Sequence, residues 1–378
     1  MRLRLLIGLA PIAVAAAIVA GSASAASNVV GHVYVNDNTA GTNTIAAFDR
    51  HADGTLTPLP GSPFPAGGAG TGAGIGSQGA LQITSDGKYL LAVDAASNEI
   101  SVLRIGPDGG LKPVGGGPVS SGGNEPVSIA VHDDLVYVAN AGNGASNYTG
   151  FTLNPGGHLR PLADSTVSLP DGTTPGDVLF NGDGTKLIGA EVGPSLIDSF
   201  TVGADGRLTA APGSPFAAQG VGPFGSEFRP TDPSELYVSN AHGGTGNGSV
   251  SAFSDGSDGT LTSIGSSPFA DLQTAPCWVE ITHDGQFLFT VNTGTGSISR
   301  YAIGSDGSLS LIGSTPISTA HAGAEDARLG PGGQTLWVVD TGARAISAFA
   351  VDGGNLTELS SSPTALPAGS APFGIVVT

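Results

Sequence analysis

The sequence predicts an all-β fold: a seven-bladed β-propeller of four-stranded antiparallel blades, its ring closed by the C-terminal strand. Three observations predict it. Four apolar patterns recur in the same order along the chain, the signature of a repeat architecture. Asp-Gly pairs punctuate the repeat, at places where tight hairpins need residues tolerant of positive φ. One of the four patterns occurs only six times before the last residues of the chain supply the seventh.

The first strand of each unit leads into a turn, as in Ala80-Leu-Gln-Ile-Thr-Ser-Asp86-Gly87, with equivalents starting at Val127, Gly176, Phe224, Cys277 and Glu325. The second is an apolar run ending in an acid or amide: Asn36, Asp94, Asn140, Glu191, Asn240, Asn292 and Asp340, spaced 46 to 58 residues apart. The third carries apolar or aromatic residues three apart, from Ile45 and Phe48 in the first unit to Ile346 and Phe349 in the last. Asp53-Gly54, Asp108-Gly109, Asp205-Gly206 and their counterparts then turn the chain, with Gly156-Gly157 in the third unit. A leucine two residues beyond the glycine opens the fourth strand in most units. Pro372-Phe-Gly-Ile-Val-Val-Thr378 matches Pro223-Phe-Gly-Ser-Glu-Phe-Arg229 in position and type, so the C-terminal strand completes the blade begun by His32–Leu59. An open solenoid would need polar capping units at both ends, and the sequence shows none. The repeat lacks the Trp-Asp and Gly-His signatures of WD40 blades.

Ahead of the repeat, Arg2 and Arg4, the apolar stretch Leu5 to Ala20 and Ala23-Ser24-Ala25 read as an export leader, so the mature chain is expected to begin at Ala26. An uncleaved anchor is the alternative, but no basic stop-transfer residues follow. A single domain spans 26–378. Loss of Arg2 and Arg4 takes the net charge from −18 to about −20, which disfavours nucleic acid and anionic membranes as partners. Cys277 is the only cysteine, so no intramolecular disulfide exists in the oxidising compartment the leader implies. The expected product is a secreted, monomeric protein with no membrane contact once the leader is removed.

In a propeller the first strands line the channel. Loops into the first strand and between second and third strands share one face, and the Asp-Gly turns occupy the other. The first face has the more varied loops, including the Gly-rich stretch Pro65–Gly76, and is the default site. Seven second-strand ends ring that face. Asn and Asp there bond their own turns in the structural reading, whereas Glu191 is one methylene longer and stands out as an acid–base candidate. On the channel strands the third position is Ala80, Ser128, Asp177, Gly225, Trp278, Asp326 and Gly374. Trp278 either plugs the channel or floors a pocket. Farther in lie Gln82, Leu179, Glu227, Glu280, Arg328 and, beyond them, Arg229; the arginines either pair with Glu227 and Glu280 or grip a substrate carboxylate. Cys277 reads as a small buried hydrophobe rather than a nucleophile. His242 and His321 sit in face loops without metal-ligand spacing, and no Gly-x-Ser-x-Gly elbow or Walker loop occurs, so neither cofactor nor metal is expected.

The unit spacing, Asp-Gly-x-Leu, Ser-Pro-Phe at 62–64, 214–216 and 267–269, and Val-Asn-x-Gly-x-Gly-Ser-Ile at 291–298 resemble the β-propeller lactonase family. That family includes 6-phosphogluconolactonase-like and 3-carboxymuconate-cyclase-like proteins. Gly76-Ser-Gln-Gly-Ala80, Pro223-Phe-Gly225 and Ala275-Pro-Cys-Trp-Val279 resemble a secreted branch of it. The resemblance implies a channel-face site joining His, Arg and Glu, yet Gln78-Gly79, Val127 and Gly176 stand where a channel-strand histidine is expected. Scarce basic residues and export argue against a phosphosugar substrate. Two functions follow. In one, a lactone is hydrolysed or a related cyclisation is run at the channel face. Glu191 moves the proton, Arg328 or Arg229 holds the substrate, and Gln78, Asp177, Phe224, Trp278, Asn140, Asn240 and Asn292 line the site. In the other, the propeller is non-catalytic and binds a ligand, glycan or protein through that face.

Overall fold

A computed structural model describes residues 28–142, 144, 146–319 and 323–378; the leader expected at 1–25 and His321 lie outside the described residues. The described residues form strands and turns without a helix, arranged as seven antiparallel sheets. Blade 1 pairs Ile375–Val377 with Val29–Asn36, and blades 2 to 7 start from Leu81–Ile83, Pro126–His132, Pro175–Phe180, Pro223–Arg229, Pro276–Ile281 and Ala324–Leu329. These innermost strands run from the upper face, where the loops vary, to the lower face, where the Asp-Gly turns lie.

The outermost strand differs from the simple four-strand expectation. In six blades it is broken in two, and both pieces pair with the third strand. In blades 1, 4 and 5 the break falls at the Ser-Pro-Phe motif: proline has no N–H for a ladder, and the hydroxyl of the preceding serine accepts an N–H of the third strand. Ser62 Oγ accepts from Ala47 N–H at 2.9 Å, Ser214 Oγ from Ser199 N–H at 3.0 Å and Ser267 Oγ from Ala252 N–H at 2.7 Å. Blades 2, 3 and 7 break without Ser-Pro-Phe, with Ser165 Oγ accepting from Gly150 N–H at 3.0 Å and Ser362 Oγ from Ala348 N–H at 3.2 Å, whereas in blade 6 the outer strand Leu309–Pro316 runs through unbroken. The stretch read as a flexible Gly-rich loop is strand over Phe64–Gly70, and Asn38 holds the residues after it through Thr71 and Ala73.

Both faces of each blade are apolar, so each is buried only against its neighbours. On the lower face the blades are also linked by hydrogen bonds into the next blade's Asp-Gly turn: Tyr34 to Gly109 O at 2.9 Å, Tyr137 to Gly206 O at 2.9 Å and Tyr237 to Gly307 O at 3.0 Å. Lys186 plays this part in blade 4, bonding Asp255 at 2.9 Å and the Gly256 carbonyl.

Closure takes the predicted form. Val33, Tyr34 and Val35 pair with Val377, Val376 and Ile375. Phe373 N–H donates to Asn36 O at 3.0 Å, Thr378 N–H to His32 O at 2.9 Å, and Arg50 clamps the Thr378 carbonyl at 2.7 Å. Phe373 and Ile375 are fully buried. Deleting Phe373–Thr378 therefore opens two sheet edges and empties a core position, where Phe373→Ala alone should cost about 3–5 kcal/mol. The expected outcome is aggregated protein. A truncated chain that stays soluble and melts within about two degrees of the parent would overturn the closure.

Candidate functional site

The site begins with a backbone device at the upper end of the inner strands. The residue before the strand's proline has a left-handed backbone: Glu125 at φ 53°, Thr174 at 43°, Gly222 at 67° and Ala275 at 55°. Such angles are uncommon for non-glycine residues and outlying for β-branched threonine. They turn each carbonyl to accept the N–H of the residue that follows a second strand. Glu125 O receives Ala141 N–H at 2.9 Å, Thr174 O receives Val192 N–H at 3.3 Å, and Ala275 O receives Thr293 N–H at 2.8 Å. Between blades 3, 4 and 5 these locked rims surround a depression of about 360 Å³. Ile75, Ala141, Val192 and Phe224 give it an apolar lining, and Glu125 and His242 stand exposed on its edge. No lysine or arginine is among its lining residues.

Beneath the mouth, a strap from blade 2 crosses the axis. Gln78 N–H donates to Gly176 O of blade 4 at 2.9 Å, its amide donates to Ser226 O of blade 5 at 2.9 Å, and its side-chain oxygen accepts from Val279 N–H of blade 6 at 3.4 Å. The axis is narrow enough there that a Cβ at Gly225 would collide with the Cys277 backbone carbonyl as well as with the Gln78 side chain, which makes glycine obligatory at that position.

Below the strap the inner strands expose unpaired backbone donors, and carboxylates of adjacent blades accept them. Asp177 takes Ser226 N–H at 3.0 Å, the Ser226 hydroxyl, and the Ser128 hydroxyl at 3.2 Å. Glu280 takes Leu329 N–H at 2.8 Å, and Asp326 takes Gly374 N–H. Burial pushes Asp177 up to about 7 against its hydrogen bonds, and pushes Asp326 well above the usual carboxylate range. Glu227 is pushed up to about 8 by burial and then by the charge of Glu280. Arg328 lies among them, 3.4 Å from Glu280 and stacked 5.4 Å from the Trp278 ring centre. Burial disfavours its charge, but Glu280, Glu227 and the aspartates outweigh that and hold it raised. Trp278 is itself buried against blade 7.

Most second-strand ends turn into polar knots inside their blades, while Asn36 donates to the Val93 carbonyl of blade 2 at 3.1 Å. Asn140 bonds Asn147 at 2.9 Å, Asn240 bonds Ser251 at 2.9 Å, and Asn292 lies against Ser297 and Ser299. The partner usually sits seven residues on, at the diagonal position of the third strand. Glu191 follows the same rule: its partner is Asp198, which also accepts from Tyr148 at 3.1 Å. Glu191 is 3% exposed, and burial, then the hydrogen bond and charge of Asp198, push it up to about 8. Glutamate and aspartate side by side thus hold a proton between them.

The structure therefore divides the candidate residues among four places. Phe224 lines the mouth. Gln78, Asp177, Trp278 and Arg328 meet in the channel below it. Glu191, Asn140, Asn240 and Asn292 are interior knots of the blades. Arg229 sits at the lower end of its strand, bound to Glu235 at 2.9 Å and to Gly285 O at 2.8 Å. Burial pushes the Cys277 thiol up to about 12, which keeps it unreactive. Glu125, Thr174, Val192 and His242 carry no catalytic motif in the sequence, where His242 reads only as a face-loop histidine. Their only sequence signal is position, just before an inner-strand proline or just after a second-strand end.

The model of the family described as "Lactonase, 7-bladed beta-propeller" matches residues 227–376. No curated protein matches the sequence. Among solved structures, a candidate 6-phosphogluconolactonase from Bacteroides uniformis is 20% identical, with a TM-score of 0.74, covering 92% of this chain and 98% of its own. A protein from Lactobacillus plantarum is 19% identical, TM-score 0.74, over 91% and 98% of the two chains. A periplasmic gluconolactonase from Pseudomonas aeruginosa is 17% identical, TM-score 0.73, over 92% and 98%. At these identities the structures speak for the fold.

The buried carboxyls set a pH dependence. Asp177 at about 7 and Glu191 and Glu227 at about 8 hold their protons more tightly in the folded chain than in the unfolded one, where carboxyls titrate near ~4. Their contribution is complete below about pH 4 and is lost as pH rises towards 8. Melting temperature is expected to fall from pH 5 to pH 8 at constant ionic strength. Glu191→Gln, which gives Asp198 an amide donor in place of the shared proton, should flatten the slope. A profile that rises over this range, or one that Glu191→Gln leaves unchanged, would refute the assignment.

Proposed function

For this seven-bladed propeller of the lactonase-like family, we propose that the mouth between blades 3, 4 and 5 binds a lactone and hydrolyses it, with His242 as the general base. The observation that carries the reading is the mouth itself: an apolar depression at the channel end, edged by an exposed imidazole and a hydroxyl from Thr174. The lactone ring rests on Phe224 and Val192. His242 takes a proton from water as the water oxygen attacks the ring carbonyl, with Thr174 as a donor to the carbonyl oxygen. The ring C–O bond then breaks, and the imidazolium returns its proton to the leaving alkoxide. Secretion through the leader at 1–25 is part of the same proposal. It would place the enzyme where lactones from outside the cell arrive.

The decisive measurement is acid release from a lactone panel by the purified mature protein. His242→Ala is expected to lower turnover by about 10²-fold while melting stays unchanged, because the side chain is exposed on the rim. Phe224→Ala should mainly raise KM. Full turnover in His242→Ala would remove the assigned base. Lactone binding without turnover in the parent would make the mouth a binding site only, the non-catalytic alternative.

A further inference from the structure

Accepting the mouth as the hydrolytic site, we infer that its substrate class is an uncharged lactone with an apolar substituent, and that phosphorylated and other anionic lactones are excluded. The inference rests on where the chain keeps its positive charge. Of the thirteen lysines and arginines in the sequence, Arg2 and Arg4 lie outside the described residues, leaving eleven. Ten of these eleven sit on the lower half of the disc. Arg50 binds the carbonyl of Thr378, Lys88 binds Asp86, and Lys186, Arg207 and Arg300 bind groups of the Asp-Gly turns. Arg229 binds Glu235 and the Gly285 carbonyl. Arg50, Lys186, Arg229 and Arg300 thus join blades or the closing strand, Lys88 and Arg207 pair with acids of their own turns, and Lys112 and Arg160 are exposed on lower-face strands. The eleventh, Arg344, is exposed at the start of the third strand of blade 7, which touches neither blade 3, 4 nor 5 in the ring.

Arg328 is the one guanidinium near the axis, and two features keep it from the mouth. The Gln78 strap crosses above it with bonds to three blades. Its charge is already met by Glu280 at 3.4 Å and the face of Trp278. The mouth itself carries Glu125 on its edge, and the loop that enters blade 4 adds exposed Asp171 three residues before Thr174. A dianionic phosphate brought there would meet carboxylates and apolar walls and no lysine or arginine, an arrangement that disfavours it. An alkyl or aryl group would instead cover Ile75, Ala141, Val192 and Phe224 and gain from their burial.

The test compares kcat/KM for an alkyl-substituted γ-lactone and for 6-phosphogluconolactone, with the spontaneous rate of each subtracted. The alkyl lactone is expected to be the better substrate by at least about tenfold, and Glu125→Lys, which keeps the same backbone demand, should narrow the gap by about tenfold. A preference for the phosphorylated lactone overturns the inference and leaves the hydrolytic reading standing. An equal rate on both, unmoved by Glu125→Lys, overturns it too. If neither is hydrolysed, the hydrolytic reading falls and binding decides the class. Calorimetric titration with the alkyl lactone but not with 6-phosphogluconate then supports the inference; the reverse, or no binding by either, ends it.

Discussion

Every inner strand of the ring has one edge with no strand beside it, and its N–H groups face a channel too narrow for a further layer of structure. An edge of this kind exposed to water is a liability, and a buried donor left unpaired costs about 1–3 kcal/mol. The chain answers with side chains reaching across from neighbouring blades. Gln78 spans blades 4, 5 and 6, Asp177 ties blade 4 to blades 3 and 5, Glu280 ties blade 6 to blade 7, and Asp326 ties blade 7 to the closing strand. The ring is thus held at its axis by Gln78 and the carboxyl acceptors, and at its lower face by tyrosine hydroxyls and Lys186. The C-terminal strand matters because without it two further edges would open and Asp326 would lose its donor.

That need for acceptors accounts for the electrostatics. A carboxylate accepts strongly from N–H donors, but placed at the axis it loses water, and burial drives it towards the protonated form. Asp177, Glu227 and Asp326 are all raised for this reason before any charge effect is counted. Arg328 lies where it offsets these carboxylates, which explains why a basic-poor chain keeps one guanidinium beside the axis. The channel acids and Arg328 form a structural system, and their unusual protonation is a product of holding the ring rather than of catalysis.

Much of this was legible in the sequence because it repeats. The seven second-strand ends, the Asp-Gly turns and the match of Pro372–Thr378 to Pro223–Arg229 reflect constraints each blade meets separately, so each is written seven times. The repeat implies that the Asn and Asp ends bond their own turns; most bond third-strand side chains instead, and Asn36 reaches the Val93 carbonyl of blade 2. Glu191 looked exceptional against that series because its partner was invisible: seven residues on stands Asp198, and the pair is the local form of the same knot. Arg229 and Arg328 were alike in type and differ in depth along the strand, which puts one in a lower-face ion pair and the other beside Trp278. The break at Ser-Pro-Phe was present as a motif, but the serine hydroxyl's place in the ladder depends on a register that the motif alone does not fix.

The mouth was the least legible part, and the division of labour between the two faces explains why. On the lower face, side chains join blade to blade: Tyr34, Tyr137, Tyr237 and Lys186 each enter the next blade's turn. Their identities are therefore constrained and recur. On the upper face the carbonyls of Glu125, Thr174, Gly222 and Ala275 accept the N–H that follows each second strand, and side chains of the preceding blade, Asn98 on Glu125 N–H and Ser195 on Gly222 N–H, add ties to the same rims. A backbone bond asks for a left-handed angle and leaves the side chain free to be glutamate, threonine, glycine or alanine. Side chains released from structural duty on one face of a rigid ring are those that a binding site can use. They leave no periodic trace, so the candidate site of Glu125, Thr174, Val192, Phe224 and His242 emerges only when the rims are seen side by side.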